Sequence, residues 1–195
     1  MKEISYSELM GEHVLDLVKY HGKNVKIYSL AKILNPECAW IEDEVRILDF
    51  AFIDAKESLY IGKHSIIAWH CVVEGHANIK IGNRCFLGPG SKLLSSTYEF
   101  NGFYANEHLP EGSHQTAYGD IILEDDSYIG ANSVVMPGVK VGEGAIVGAN
   151  SLVNRNLKPW GIYFGNPVKL IGMRDKPTEE CRKIIESIEW PKHNF

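Results

Sequence analysis

Histidines are the side chains in this sequence best suited to moving protons near neutral pH. Three of them, His64, His70 and His76, lie six residues apart, and two more, His108 and His114, lie in a stretch rich in Tyr, Phe, Asn and Gly. Such side chains can accept a proton from a reacting hydroxyl, or bind a metal ion where several converge. Whether they converge depends on the elements that carry them.

An aliphatic residue recurs at every sixth position through most of the chain. In the C-terminal part this repeat is formed by Leu123, Ile129, Val135, Val141, Val147 and Val153. Upstream it runs through Ile41, Ile47, Ile53 and Leu59, restarts two residues later at Ile61, and restarts again at Ile81. A period of six matches neither a helix nor an alternating strand, and predicts short strands coiled into a three-sided prism of about 18 residues per turn. Each restart predicts one widened corner.

The third residue after each aliphatic is expected to form a corner, which assigns the corner residues to three edges of the prism. The first edge carries His64, Arg84, Asp126 and Gly144; the second carries His70, Gly90, Asn132 and Asn150; the third carries His76, Ser96, Gly138 and Asn156. The three histidines that lie six residues apart therefore fall on different edges and do not form one metal site within a chain. Cys71 and Cys85 fall at inward-facing positions and are expected to fill the core rather than act as nucleophiles.

Composition narrows the class of protein. The chain has 195 residues, enough for one domain with a short appendage, and its 20 Lys and Arg against 25 Asp and Glu argue against a protein that coats nucleic acid or anionic lipid. No apolar run approaches the roughly 18 residues that span a bilayer. The four cysteines form no close pair, so we expect a cytoplasmic protein without structural zinc or a disulfide framework.

The segment YIGANSVVMPGVKVGEGAIVGANSLVNRNLKPWGIYFGNPVKLIG, from Tyr128 to Gly172, contains the pattern [LIV]-G-x-x-[STA]-x. It resembles the end of the hexapeptide-repeat acyltransferases, in particular the galactoside, maltose and surface-polysaccharide acetyltransferases. The resemblance covers about residues 22–174 and implies an all-β solenoid, a left-handed parallel β-helix. It also implies a homotrimer in which acetyl-CoA lies in a groove between neighbouring prisms.

The organisation along the chain is expected to have three parts. Residues 1–22 form an N-terminal helical cap, with Ser7 as N-cap and a helix that runs to about Tyr20. Residues 23–174 form the β-helix acyltransferase domain, interrupted at 95–119 by a loop in which the repeat fails. Residues 175–195 form a C-terminal helix, from Thr178 to about Glu189, and a tail. A loop of this length within a compact domain is usually functional.

The resemblance implies which residues bind the co-substrate and the acceptor. The positions that match the family's coenzyme A contacts are Ala131, Ala149, Asn154, Arg155 and Lys169. Small residues at Ala131 and Ala149 suit a narrow pantetheine arm, and Arg155, Lys158 and Lys169 suit the phosphates. Residues expected to orient a sugar acceptor are Tyr98, Glu99 and Asn106.

The family usually supplies its catalytic histidine within an S-x-T-G-H-P stretch, where the loop begins. This chain reads LLSSTYEF there, with Tyr98 where the histidine would lie, and is closer to a polysaccharide subgroup that reads SGTDDF. His70, on the same edge as the expected coenzyme A groove, is the first candidate for the base, and His108 and His114 in the loop are the next. If the acceptor is an amine, a protein base matters less.

The function predicted from the sequence is transfer of an acetyl group from acetyl-CoA to a hydroxyl or an amine of a sugar. The acceptor is expected to be a nucleotide sugar or a surface-polysaccharide precursor, such as one for O-antigen, that attacks the thioester directly in a ternary complex. Alternatives are an acyltransferase for another small molecule such as an antibiotic, a non-catalytic trimeric β-helix, and a metal-dependent hydratase of similar fold. The sugar acetyltransferase and the antibiotic acyltransferase both require affinity for coenzyme A. The non-catalytic β-helix and the hydratase do not.

On the sequence alone, replacing His70 by Ala is expected to lower turnover at least about 100-fold, because a positioned base contributes typically ~10²–10⁴ in rate. The melting temperature is expected to stay nearly unchanged. Steady-state kinetics and a thermal melt of the variant measure the two quantities. Full activity would assign the base to His108 or His114, or show that none is needed.

Overall fold

Three parallel sheets form the sides of a left-handed β-helix, which the computed structural model describes within residues 9–187. The first side contains β1 (Tyr20–His21), β4 (Ala39–Ile41), β7 (Leu59–Ile61), β10 (Ile79–Ile81), β15 (Ile121–Leu123) and β18 (Lys140–Val141). The second contains β2 (Lys26–Ile27), β5 (Arg46–Ile47), β8 (Ile66–Ile67), β11 (Phe86–Leu87), β16 (Tyr128–Ile129), β19 (Ile146–Val147), β21 (Gly161–Phe164) and β22 (Lys169–Met173). The third contains β3 (Lys32–Leu34), β6 (Phe52–Asp54), β9 (Val72–Glu74), β12 (Lys92–Leu94), β17 (Val134–Val135) and β20 (Leu152–Val153). The predicted fold class is confirmed.

The register between successive turns confirms the widened corners. In the N-terminal half Ile61 pairs with Ile81, 20 residues later, whereas in the C-terminal half Ile129 pairs with Val147, 18 residues later. The two extra residues lie at the third edge, between the third and the first side. An antiparallel pair, β21 with β22, ends the second side.

The aliphatic repeat forms the core. Its members point inward from every turn, and Ile47, Ile67, Leu87, Ile129 and Val147 are fully buried. Burial of each such side chain stabilises the fold by about 1.5–3 kcal/mol. Cys71 and Cys85 are buried among them, which confirms their predicted place in the core.

Two of the three edges turn through a residue with left-handed backbone. On the first edge His64, Arg84 and Asp126 have φ of 59°, 53° and 61°, and on the second His70 and Asn150 have φ of 58° and 55°. Each of these turns repeats the one before it and is bonded to it: the His64 N–H, for example, donates to the Asp43 carbonyl. The predicted assignment of these residues to two edges is confirmed.

The first edge is also bonded through its side chains. The Asn83 side-chain oxygen accepts from the Lys63 N–H, and Asp125 accepts from the Asn83 N–H in the next turn. Arg84 forms two hydrogen bonds with Asp126, and this bidentate contact raises the pKa of the guanidinium.

The predicted loop insertion is present and leaves the prism at the third edge. It begins and ends with an antiparallel ribbon, β13 (Ser96–Tyr98) and β14 (Thr116–Tyr118), inserted between β12 and β15. Beyond the ribbon the loop is exposed, and Phe100 and Tyr104 are each 68% accessible. The edge can accept this insertion because a corner, unlike a strand, has no register to keep.

The ends of the chain differ from the predicted helices. Instead of a helix up to Tyr20, the structure has a 3₁₀ helix at Gly11–Asp16, and Tyr20 begins β1. Gly11 has a φ of 65°, which no α-helix accommodates, and the Tyr20 ring stacks on Trp40 of the next turn. The predicted N-cap Ser7 lies outside the described residues. A second 3₁₀ helix spans Pro36–Cys38.

The predicted C-terminal helix is confirmed within the described residues as α1 (Glu179–Ser187). Its predicted last residues, Ile188 and Glu189, lie outside them. The apolar side chains Ile184 and Ile185 of α1 remain partly accessible. No helix between residues 9 and 187 is long and apolar enough to cross a bilayer.

The core position of two thiols makes a direct prediction about reactivity. Burial raises the pKa of Cys71 and of Cys85, so neither forms the reactive thiolate at pH 8. Iodoacetamide is therefore expected to modify the exposed Cys181 in the native protein, and to modify Cys71 and Cys85 only after unfolding. Peptide mapping of the alkylated protein measures this, with Cys181→Ser as the control, and rapid native modification of Cys85 would contradict it.

Candidate functional site

The second edge of the prism changes from bulky to narrow along its axis. In the N-terminal turns it carries Phe50 and Trp69, which are 53% and 50% accessible. In the C-terminal turns the position of Trp69 is occupied by Pro89, Ala131 and Ala149, and the position of Phe50 by Gly90, Asn132 and Asn150. The narrow part carries only small side chains at Pro89, Ala131 and Ala149 on successive turns, and we call this strip the alanine groove.

Glycines allow the turns of the alanine groove to stack closely. A Cβ on Gly88 would lie 2.7 Å from the Ala131 nitrogen, and one on Gly130 would lie 2.5 Å from the Ala149 nitrogen. The Asn150 N–H donates to the Ala131 carbonyl at 2.8 Å. The structure thus places the two predicted alanines one above the other on adjacent turns.

Lys169 lies near the C-terminal end of the alanine groove. It begins β22 and pairs with Phe164, whose ring contacts Gly148 beside Ala149. The turn between Phe164 and Lys169 is bonded to β20, since the Val168 N–H donates to the Leu152 carbonyl. Lys169 is exposed there and free to reach toward the groove.

Asn154 and Arg155 lie at the opposite end of β20. Both are exposed and follow the strand at the third edge, whereas Ala149 precedes it at the second. The structure therefore brings together Ala131, Ala149 and Lys169, and separates Asn154 and Arg155 from them by the width of one side of the prism.

His70 lies on the predicted edge but in its bulky part. Its imidazole is exposed and stacks parallel to Phe50, with ring centroids 4.9 Å apart. Turns of a β-helix are spaced by about 4.8 Å, so His70 lies about 10 Å along the axis from Ala131, two turns away. A ligand that reaches both must extend along the edge.

Two of the predicted acceptor-binding residues hold the loop together. The Glu99 N–H donates to the Gln115 carbonyl, and its carboxylate accepts from the Asn101 N–H at 3.0 Å. The Asn106 side-chain oxygen accepts from the His108 N–H at 3.0 Å. Their polar groups are thus engaged within the loop.

The remaining loop residues differ in exposure. Tyr98 is half-buried and pairs with Thr116 across the ribbon, while His108 is exposed. His114 is half-buried, and its Nδ1 has no hydrogen-bond partner among the described residues. All of these residues lie on or beyond the third edge. Within one chain the loop and the alanine groove are therefore separated by the third side of the prism.

A cluster that the sequence analysis did not select lies at the foot of the loop. The His76 Nε2 lies 3.4 Å from an Asp54 carboxylate oxygen, and its Nδ1 lies 3.6 Å from a Glu74 carboxylate oxygen and 3.4 Å from the Ser96 hydroxyl. The signal was present in the register: Asp54 and Glu74 are 20 residues apart and pair on neighbouring strands. It was missed because only corner positions were compared between turns.

The other corner histidine, His64, has a different environment. Partial burial lowers its pKa, so its imidazole is neutral at pH 7. Its neighbours on the first edge, among them Arg84, belong to the ladder of paired side chains described above. His64 thus resembles a structural corner residue.

A cavity of about 540 Å³ separates the first edge from α1. Its lining includes Arg84, Asp126, Trp160, Lys176 and Arg182. These charges are already engaged, Arg84 with Asp126 and Lys176 over the Trp160 ring. The cavity lies on a different edge from both the alanine groove and the loop.

Within the described part of the chain no group of three or more His, Cys, Asp or Glu side chains could hold a metal ion.

Comparison with known families and proteins agrees with this architecture. Residues 120–155 match the family model for the bacterial transferase hexapeptide (six repeats). A chloramphenicol acetyltransferase from Klebsiella aerogenes is 32% identical over 56% of this chain, so the match spans about half (57%) of that relative's length. A dTDP-4-amino-4,6-dideoxy-D-glucose acyltransferase from Escherichia coli is 28% identical over 85% of this chain and 87% of its own.

A solved structure covers still more of the chain. It is a single-residue variant of AntD, an N-acyltransferase from Bacillus cereus, in complex with dTDP-4-amino-4,6-dideoxyglucose and coenzyme A. The two structures superpose with a TM-score of 0.82 and are 30% identical, over 88% of this chain and 92% of that one.

Proposed function

Because this chain belongs to the hexapeptide-repeat acyltransferases of the left-handed β-helix fold, we propose that it transfers an acyl group from coenzyme A to the amino group of a nucleotide-linked amino sugar. The observation that carries the proposal is the likeness to AntD, whose complex holds a coenzyme and an amino-sugar nucleotide together. The likeness spans nearly the whole of both chains. An acylated amino sugar of this kind suits incorporation into a surface polysaccharide.

Coverage favours the amino-sugar acceptor over the antibiotic acceptors. The relatives named for amino-sugar substrates match 85% and 88% of this chain, whereas the chloramphenicol acetyltransferase from Klebsiella aerogenes matches 56%. Tyr98 in place of the family's histidine agrees with an amine acceptor, because an amine is a stronger nucleophile than a hydroxyl and depends less on a protein base.

We assign the acyl-CoA to the alanine groove. The flat backbone at Ala131 and Ala149 admits the pantetheine arm and offers it N–H and C=O groups, and Lys169 at the end of the groove suits a phosphate. Asn154 and Arg155 would contact the nucleotide end from beyond β20. Acetyl is the simplest acyl group that this arrangement accommodates.

The site requires a second copy of the chain. The alanine groove has one wall, and the loop that carries Tyr98, Glu99 and Asn106 lies on another edge of the same prism. A cyclic assembly would place the loop of one subunit against the groove of the next, and we propose a homotrimer.

A coenzyme A co-substrate and four free thiols suit the reducing cytoplasm.

The reaction needs no covalent enzyme intermediate. The amine nitrogen attacks the thioester carbonyl, backbone N–H groups of the groove stabilise the oxyanion, and the coenzyme A thiolate departs. Holding the two substrates in the same cleft supplies the main acceleration, because it makes an intermolecular step effectively intramolecular.

Acetyl transfer to an antibiotic hydroxyl is the second candidate. Several chloramphenicol acetyltransferases at 30–32% identity support it over the repeat region. Such a reaction would need a base close to the hydroxyl, and His70, His108 and His114 are the candidates that the sequence favours for it.

A thiol-release assay separates these candidates. With acetyl-CoA as donor, turnover is expected on dTDP-4-amino-4,6-dideoxyglucose and to be at least about 100-fold lower on dTDP-glucose and chloramphenicol, because the latter two offer only hydroxyls. Running the panel with 3-hydroxybutyryl-CoA measures the tolerance for a longer acyl group. Turnover confined to chloramphenicol would assign the second candidate, and no affinity for coenzyme A would exclude both.

The assignment of the groove predicts the effect of filling it. Ala149→Phe is expected to raise the KM for acyl-CoA at least about tenfold with little change in melting temperature, because the side chain is exposed and covers the pantetheine path. Glu143→Phe, at the corresponding exposed position of the first edge in the same turn, is the matched control. Equal KM values for the two variants would contradict the assignment.

A further inference from the structure

We propose that His76 takes the proton that the acceptor amine loses during acyl transfer, and that Asp54 and Glu74 position its imidazole ring. This proposal rests on the proposed function and names a catalytic residue for it. Sequence analysis assigned the role first to His70, and the two assignments make different predictions.

The His76 ring lies between two carboxylates on the third edge. Its Nε2 lies 3.4 Å from the Asp54 Oδ2, and its Nδ1 lies 3.6 Å from the Glu74 Oε1. The three side chains are 27%, 16% and 35% accessible, in the order His76, Asp54 and Glu74. The imidazole is thus held in place yet open to a ligand from one side.

The hydrogen bonds around the ring suit one neutral tautomer. The Ser96 hydroxyl donates to Glu74 Oε1 at 2.7 Å, so its oxygen faces the His76 Nδ1 as an acceptor, at 3.4 Å. In the tautomer that donates from Nδ1 to this oxygen, Nε2 has the lone pair. When Nε2 takes a proton, the imidazolium lies beside the Asp54 carboxylate, which stabilises the new charge.

The fold holds the two carboxylates in these places. Asp54 and Glu74 end neighbouring strands in register, next to inward-facing Ile53 and Val73, so both carboxylates point outward. The Asn35 side chain donates to Asp54 Oδ1 at 2.6 Å, which orients that group. The cluster is thus built from three successive turns.

Two residues bring His76 over Asp54. A Cβ on Gly75 would lie 2.7 Å from the Asp54 carbonyl, so only glycine permits this close approach. The buried Ser95 hydroxyl donates to the Glu74 carbonyl at 2.6 Å and accepts from the Ala77 N–H at 2.9 Å. The corner that carries His76 is therefore tied to the point where the loop leaves the prism.

The position of the cluster suits the acceptor. Ser96 begins β13, so the cluster lies at the foot of the loop that carries Tyr98 and Glu99, the residues expected to orient the sugar. His70 lies on the second edge instead, stacked on Phe50.

The proton balance of the step is complete. The amine lone pair forms the C–N bond, the C–S bond breaks, and the sulfur leaves with the bonding electrons. The proton from the nitrogen passes to His76 Nε2 and then to the coenzyme A thiolate, which leaves as the thiol. A positioned base of this kind contributes typically ~10²–10⁴ in rate.

The experiment compares variants on the acceptor that the wild type turns over. His76→Ala is expected to lower kcat about 100-fold, leave the KM for acyl-CoA within about twofold, and regain activity on addition of imidazole. Asp54→Asn and Glu74→Gln are expected to lower kcat about tenfold at unchanged KM for acyl-CoA. His64→Asn, which removes a histidine from the first edge, is the matched control and is expected to keep wild-type kcat.

The outcomes separate this proposal from the proposed function. If the wild type turns over the amino-sugar nucleotide and His76→Ala keeps the same kcat, the role of His76 is overturned and the proposed function stands. If kcat falls strongly in His70→Asn but not in His76→Ala, the base is His70. If His76→Ala does not fold, His76→Gln, which keeps a polar side chain, decides: unchanged kcat overturns the proposal. A wild type that turns over no acceptor would overturn both.

Discussion

Every feature of this protein depends on the parallel pairing of each turn of the chain with the turn before it. Backbone hydrogen bonds and the inward aliphatic column must be satisfied together, because a slip by one residue would move the apolar side chains to the outside of a strand. Ile61 opposite Ile81 and Ile129 opposite Val147 show the same register kept through turns of different length. Variation is therefore confined to the edges, where chain can be added without disturbing the pairing.

The three edges have taken on different roles for that reason. The first is a ladder of paired polar side chains, with Arg84 bonded to Asp126 and Asn83 to Asp125. The second changes from the bulky Trp69 to the small Ala131 and Ala149 toward the C-terminus. The third is widened by two residues in the N-terminal turns and carries both the loop and the carboxylates around His76. The proposed coenzyme A site and the proposed proton acceptor lie on separate edges and need a neighbouring prism to meet, which is the physical basis for the proposed trimer.

The stretch LLSSTYEF at the start of the loop lacks the histidine of the family's S-x-T-G-H-P motif. An amine acceptor and the His76 cluster are both compatible with this difference. This chain has Tyr98 where the family's motif has a histidine. In the preceding turn of the prism the His76 imidazole lies between Asp54 and Glu74. The stacked geometry allows a catalytic group to be supplied from an adjacent turn, because neighbouring turns are only about 4.8 Å apart. Ser96, two residues before Tyr98, lies 3.4 Å from the His76 Nδ1.

The six-residue repeat alone was sufficient to predict the β-helix, its widened corner, the place of the loop and the buried positions of Cys71 and Cys85, because these follow from local periodicity. Within the described residues the N-terminal helix is shorter than predicted, a 3₁₀ helix at Gly11–Asp16, because strand pairing of Tyr20 with Trp40 and the left-handed Gly11 outweigh helical patterning. Only the tertiary structure decided that Ala131, Ala149 and Lys169 are neighbours, that Arg155 is not, and that His76 lies between two carboxylates. Those relations depend on side chains from different turns, whose distances are determined by the register and the corner geometry together.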